Sequence, residues 1–346
     1  MRPQNMRLQN MRLQNMRLQN MRLQNMRLQN MRLQNMRVVA AAVAASLLGV
    51  SALSGCSLMP RSQPTSPAST QPSPVSASSP SAAAAPASCP AVTPAGFSCA
   101  MRTRIAEVED FLKTRPGMIG IVLRDRQSGA VWQNKYADSQ IYMASTSKLA
   151  IATTLLLQNQ AGVIHLSSSD RALMNQMLHV SDDNAADELW FKYGASLYTS
   201  YFPRIGLTSA QYLPQHGVTG AYWGEMTCTP GDLNRLINYV LGSLPAALGA
   251  YLVSELRNVA GVQHFGVWGA GPANEPGNKD GWSVEKPGWI IDSVGFAGPG
   301  ARYTLTMMNS LQGEGNYQDG TDTVTQVAAI LFHGHQIPAP TLSATP

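Results

Sequence analysis

The sequence predicts an α/β domain over residues 99–337, with an antiparallel sheet drawn from both ends and an all-helical region inserted between them. Three observations predict it. Apolar residues alternate over 118–136 near the start and over 288–308 near the end, a period of two that marks strands. Between them the apolar residues recur at three- and four-residue spacing, which marks helices. The chain then closes on an apolar helical run at 321–332. Strands at both ends and helices between them fit one sheet with an insertion.

The chain before this domain reads as a series of segments that add nothing to its core. Residues 1–35 are seven pentapeptides, Met1-Arg2-Pro3-Gln4-Asn5 and six copies of Met-Arg-Leu-Gln-Asn. A period of five matches no helix or strand face that could be buried. Because every unit begins with Met, we expect the working start at Met36. Met36-Arg37 precedes residues 38–55, which are uncharged and rich in Ala, Val and Leu. A basic start, an apolar core and small residues at its end describe a signal peptide over 36–55, and the length is marginal for a spanning helix. Leu53-Ser54-Gly55-Cys56 resembles the bacterial lipobox, which implies lipidation of Cys56 and an extracytoplasmic lipoprotein held at the cell membrane by its lipid. Residues 56–98, rich in Pro, Ser and Ala, are expected to form a disordered tether, and 338–346 a disordered tail.

Charge and cysteines narrow the partners. The formal charge of +5 includes eight arginines in residues 1–55 and no acid, so the rest carries 17 basic against 20 acidic residues. That balance gives no reason to expect nucleic acid. Cys89 and Cys99 lie ten apart in a compartment that permits disulfides, which makes their pairing plausible; Cys228 would then be a buried free thiol. No Cys/His spacing of the usual metal-binding kind occurs, and His333 and His335 read as ordinary residues at a helix end. No metal or organic cofactor is expected, and the domain is expected to be a monomer.

Along the domain, 105–112 has helical spacing, and 118–124 and 130–136 read as strands about a turn at Gln127-Ser128-Gly129. A helix opens at Ser145 and runs to about Gln160; its nearly unbroken apolar stretch 149–157 predicts burial on all sides. Ser168 or Ser169 is expected to cap a helix with Leu173, Met174, Met177 and Leu178 on one face. Further helices are expected at 185–193, 231–241 and 246–259. Strands follow at 288–296 and 303–308.

Three short motifs carry chemistry. In Ser145-Thr146-Ser147-Lys148 the hydroxyl and the amine share one helix face within mutual reach. A serine hydroxyl attacks poorly until a base takes its proton, and a desolvated lysine can do so. The helix N-terminus adds positive potential where an oxyanion would form. Ser181-Asp182-Asp183 and Lys279-Asp280-Gly281-Trp282 follow in order, the second of them just before the late strands. Taken singly, Ser145, Ser181 and Asp182 would also serve as ordinary helix caps.

Ser-x-x-Lys, Ser-Asp-Asp and Lys-Asp-Gly in this order resemble the signature set of class A β-lactamases and penicillin-binding proteins, Ser-x-x-Lys, Ser-Asp-Asn and Lys-Thr-Gly. The resemblance covers about residues 100–335 and implies the β-lactamase/transpeptidase-like fold. Thr227-Cys228-Thr229-Pro230 resembles the segment after the family's omega loop. Tyr222-Trp223-Gly224 and residues 288–295 resemble an actinobacterial branch of related serine hydrolases. The resemblance implies that Ser145 attacks an acyl carbonyl, that Lys148 activates it, and that Ser181 passes a proton to the leaving nitrogen. Lys279, with Asp183, Asp280, Gly281 and Trp282, would line the substrate site, and the backbone N–H groups of Ser145 and Trp282 would form the oxyanion hole.

Four departures modify that expectation. Asp183 stands where the family has Asn, so an amide donor is lost unless Asn184 supplies it. Asp280 replaces Thr and is expected to bring negative charge to where a substrate carboxylate lands. Residues 205–220 hold no acid to activate the deacylating water. The gap from Ser145 to Ser181 is shorter than is typical of the class. The expected function is a membrane-tethered serine hydrolase that forms an acyl-enzyme with a β-lactam and releases it slowly. The alternatives are a D,D-peptidase acting on peptidoglycan peptides and a non-catalytic cell-wall-binding lipoprotein.

Overall fold

A computed structural model describes residues 89–90, 96–213 and 220–332 of the 346. The pentapeptides, the signal segment, Cys56, nearly all of the tether, His333, His335 and the tail lie outside the described residues.

The expected sheet is present. Strands β1 (Met118–Asp125), β2 (Val131–Gln133), β6 (Gly277–Glu285), β7 (Gly288–Ala297) and β8 (Tyr303–Ser310) form one antiparallel sheet in the order β2-β1-β8-β7-β6. Helices α1 (Cys99–Leu112) and α8 (Tyr317–Phe332) cover one face. The inserted segments cover the other: α2 (Ser147–Gln160), α3 (Ser168–His179), α4 (Asp183–Tyr193), α5 (Ala195–Tyr201), α6 (Pro230–Gly242) and α7 (Ala246–Arg257). A small sheet, β3 (Ile141–Tyr142), β5 (Met226–Cys228) and β4 (Gln211–Tyr212), sits with the insertion. Cys89 and Cys99 are disulfide-bonded, and Cys228 is free and buried.

Two cores follow from strand alternation. On β7, Ile290, Val294 and Phe296 pack with the insertion, and Ile291 and Ala297 pack with α1 and α8. The run on α2 is buried all round, as its apolar stretch implies: Leu149, Ile151 and Leu155 have no exposure. Each contributes about 1.5–3 kcal/mol of burial, so truncating one to Ala should cost about 2–5 kcal/mol.

Several boundaries differ from expectation, each for a local reason. Strand 130–136 stops at Gln133 because Asn134 replaces the ladder: its Oδ1 accepts from the N–H groups of Ile121 and Tyr136, and its Nδ2 donates to Ile119 O. The cap of α3 is Ser167, one residue before the expected pair, because Asp170 three residues on completes a reciprocal capping box. Residues 277–285, read as lying before the late strands, are themselves strand β6, paired with β7 from Gly277↔Phe296 to Glu285↔Gly288. β6 is one of the sheet's two outer strands, β2 being the other.

Candidate functional site

Ser145 lies in a single 3₁₀ turn, Ala144–Thr146, immediately before α2. Thr146 Oγ1 donates to Met143 O at 2.6 Å and Ser147 Oγ to Ala144 O at 2.8 Å, which fixes the turn. Ala144 is held at φ 42°, a left-handed conformation that costs a non-glycine residue about 1–2 kcal/mol. The strained turn sets the Ser145 hydroxyl facing Lys148 rather than solvent; Ser145 is 8% exposed and Lys148 not at all.

The three sequence motifs converge on Ser181. Lys148 Nζ donates to Ser145 Oγ at 2.8 Å and to Ser181 O at 2.8 Å, and lies 3.3 Å from Ser181 Oγ. It also meets Asp183 Oδ1 at 2.5 Å. From the other side Lys279 Nζ donates to Ser181 Oγ at 3.0 Å. Lys148 has three N–H groups, which its three shorter contacts take up, so Lys279 is the amine that donates to the Ser181 hydroxyl oxygen, and the hydroxyl's own O–H is left to give. Ser181 itself stands at φ 59° between α3 and α4, with Asp182 capping α4 through Ala185 N–H at 2.9 Å.

Burial pushes the Lys148 amine below the ordinary lysine range, against the pull of Asp183, Asp182 and Asp187. Lys279 is likewise pushed down, by burial and then by the neighbouring Lys148. An amine so placed holds its proton less firmly, which is what a base for a serine hydroxyl needs.

Gly281 explains how the strand reaches the serine. A Cβ there would stand 2.9 Å from Ser145 N and 3.0 Å from both Met143 O and Thr146 N. Only a glycine lets β6 lie against the Ser145 turn, with the Trp282 backbone next along the strand. The Trp282 ring packs edge-on to Phe265 and Tyr317.

Two expectations for the strand side chains need correction. Asp280 has no exposure, so its carboxyl does not line a substrate site. Neighbouring strand residues point to opposite faces: Lys279 sits opposite Val294, toward the insertion, and Asp280 opposite Ser293, toward α1 and α8. Burial pushes the Asp280 carboxyl up to about 7, only partly offset by Ser293, Asn278 and Lys279. Lys279 is not placed to grip a substrate carboxylate directly either. It too is fully buried, and its three donors go to Ser181 Oγ, to Gln263 Oε1 and, at 2.8 Å, to Asp280 O. Asp183, by contrast, is 71% exposed while bonded to Lys148, and Asn184 is exposed on α4 and does not take its place.

Sequence reasoning missed three residues. Gln263, on the 3₁₀ turn Gly261–Gln263, anchors Lys279 and also accepts from Asp280 N–H at 3.3 Å. Trp223 lays its ring 4.7 Å from Lys148 Nζ. Asp187 fixes that ring: Trp223 Nε1 and Tyr222 OH each donate to Asp187 Oδ1 at 2.8 Å. Burial raises the Asp187 carboxyl above its usual range, against those two donors. The Tyr222-Trp223 pair was visible as a motif; nothing in the sequence marks Gln263 or ties Asp187 to it.

Comparison with known proteins gives the fold a family. A β-lactamase of Xanthomonas campestris superposes with a TM-score of 0.57, covering 68% of this chain and 98% of that one at 17% identity. A β-lactamase of Sphaerobacter thermophilus gives 0.55, covering 66% and 95% at 15% identity. An ancestral class A β-lactamase gives 0.55, covering 67% and 99% at 17% identity. The fold is therefore β-lactamase/transpeptidase-like. By sequence, the chain is 29% identical over 265 residues to a protein of Mycobacterium tuberculosis named "Putative lipoprotein LppW", spanning 73% of this chain and 81% of that one. The Mycobacterium bovis protein of the same name matches equally. No family model matches the chain.

Proposed function

We propose that the chain is a membrane-tethered serine hydrolase of the class A β-lactamase type, working through an acyl-enzyme on Ser145. The observation that carries this reading is the 2.8 Å contact of Lys148 Nζ with Ser145 Oγ, beside a Ser181 hydroxyl that two buried amines flank. Lys148 takes the Ser145 proton as Oγ attacks the carbonyl carbon of a β-lactam amide. The oxyanion forms against the Ser145 turn and the adjoining β6 backbone. Ser181 gives its O–H proton to the departing nitrogen and is reprotonated through the amines. Lys279 acts at a distance, through its charge and its hold on Ser181.

Release of the acyl group is slow in this reading. The Trp223 ring covers Lys148 on one side, and residues 205–220 bring no acid to activate water. General-base assistance contributes about 10²–10⁴-fold, and its loss leaves a persistent ester. Lipidation at Cys56 and an envelope location are supported by the lipobox-like segment and by a relative named as a lipoprotein. The actinobacterial branch, the globular limits 99–337 and the flanking segments belong to the same reading.

The test is intact-mass analysis of the protein after incubation with a penicillin and with a fluorophosphonate, for wild type and Ser145→Ala. A persistent adduct on wild type, absent in Ser145→Ala, supports the reading. Equal labelling of both would discard the Ser145 assignment. Release of D-Ala from an acyl-D-Ala-D-Ala peptide would favour the D,D-peptidase alternative, and no labelling by any acylating probe the binding module.

A further inference from the structure

A second site lies on other elements. A cavity of about 570 Å³ opens where the end of β1, the turn Phe202–Ile205 and α6 meet. Its wall carries four arginines, Arg124, Arg126, Arg204 and Arg235, with the amides of Asn234 and Asn238 between them, and no carboxylate lines it. That volume suits a small ligand.

The charge of this wall is largely uncompensated. Arg235 is paired with Asp232, which is buried beneath it. Among the described residues, Arg124, Arg126 and Arg204 form no ion pair. Arg126 spends its donors on carbonyls, Ala301 O and Leu241 O, each at 2.9 Å. The Arg204 guanidinium lies 5.4 Å from the Tyr201 ring centre. Burial, then the charge of Arg124, pushes Arg126 below its ordinary value. Guanidinium groups gathered without a counter-ion repel, and an anion with several acceptor oxygens relieves that repulsion.

A second cavity of about 440 Å³ adjoins the first, sharing Arg126 and Gly242 with it. It is more apolar: Leu241, Leu244, Ala250 and Val253 supply a wall between the end of α6 and α7, and of its two arginines Arg126 is bonded to carbonyls and Arg257 is paired with Glu275. A plain polyanion would leave this wall unused, whereas a ligand with an anionic end and an apolar end fills both.

We infer that these joined cavities bind a phosphate-bearing amphiphile, the headgroup and first acyl carbons of an anionic lipid, with the phosphate among Arg124, Arg126 and Arg204 and the chain along Leu244 and Val253. The inference stands apart from the Ser145 reading, since none of these residues belongs to that site.

The test is calorimetric titration of the full-length protein with dihexanoyl phosphatidylglycerol below its micelle concentration. Dihexanoyl phosphatidylcholine and glycerol 3-phosphate serve as the neutral-headgroup and no-chain controls. Saturable one-to-one binding of phosphatidylglycerol is expected, at least about tenfold tighter than either control, and weaker at high salt. Arg124→Glu with Arg204→Glu should lose at least about tenfold, with folding checked by melting temperature; Arg124→Gln with Arg204→Gln repeats the test without charge reversal. Leu244→Asn, which adds no charge, should weaken the lipid and leave glycerol 3-phosphate unchanged. Failure of phosphatidylglycerol to saturate, equal binding of phosphatidylcholine, or undiminished binding by both double variants would overturn the inference. Glycerol 3-phosphate binding as tightly as the lipid would overturn the amphiphile.

Discussion

Lys148 and Lys279 stand on either side of Ser181, both without solvent exposure, yet their charges are met in different ways. Lys148 touches a carboxylate, Asp183, that is 71% exposed and so keeps most of its hydration while it pairs. Lys279 touches only neutral oxygens, those of Ser181, Gln263 and the Asp280 backbone. The nearest acid on its own strand, Asp280, faces away and is itself pushed up to about 7. The same side chain at the same depth is therefore easier to keep charged at Lys148 than at Lys279. For the proposed chemistry this leaves the proton relay from Ser145 to Ser181 with Lys148, the amine in contact with both residues.

The largest test of that difference is removal of each amine. Lys148→Met should reduce acylation of Ser145 by about 10²–10⁴-fold, because the serine loses the group in contact with it. Lys279→Met should cost less, as it acts through Ser181. Equal losses, measured by rapid-mixing mass spectrometry, would erase the distinction.

Asp183→Asn is the next test. The carboxylate holds the Lys148 proton in place, opposing the effect of burial. Its removal should move the rising limb of the acylation pH profile to lower pH. A limb that stays put, or moves up, would mean that another group governs the profile.

Asp280 gives a smaller effect, read in stability. Its carboxyl titrates near 7 when folded against an ordinary 3.8, so the folded state binds the extra proton between those values. Its contribution is most favourable below about pH 4, falls as pH rises toward 7 and levels off above. Asp280→Asn should flatten that fall, so that the melting temperature drops less between pH 5 and pH 8 than in the wild type; the stability difference behind it is on the order of a few kcal/mol at most. Identical pH dependence in the two proteins would show that Asp280 keeps one protonation state throughout.

The smallest effect sharpens the comparison by reversal. In the Asp170–Lys192 pair the acid is buried and the lysine about half exposed. Burial works against the Asp170 carboxylate, but Lys192, Ser167 and Tyr193 together hold it below its usual range. Lys192→Met leaves the last two in place and should cost much less in chemical denaturation than a core truncation. A loss as large as that of a core truncation would mean the lysine alone keeps that acid charged.

What was legible in the sequence follows the range of each interaction. Ser145 and Lys148 meet because three residues on a helix bring them together, which spacing alone reveals. The sheet and the inserted helices were legible from period. Ser181 joins them across 33 residues, and only the order of the motifs hinted at it. The facing of Asp280 was misread because Gly277, Asn278, Asp280 and Gly281 are poor strand formers, so a stretch that tertiary pairing makes a strand was taken as a lead-in. Read as a strand, it would have sent Lys279 and Asp280 to opposite faces at once. Gln263 meets Lys279 through a long-range contact from a short turn, which leaves no periodic trace.

The left-handed residues Ala144 and Ser181 bear on how such a chain can evolve. Each is a non-glycine held where glycine is at ease, at a cost on the order of 1–3 kcal/mol. Random change can relieve that tension cheaply, since Ala144→Gly needs no new space. Glycine at 144 would hold the same backbone at less cost, so stability could be gained there without parting the serine from its amines.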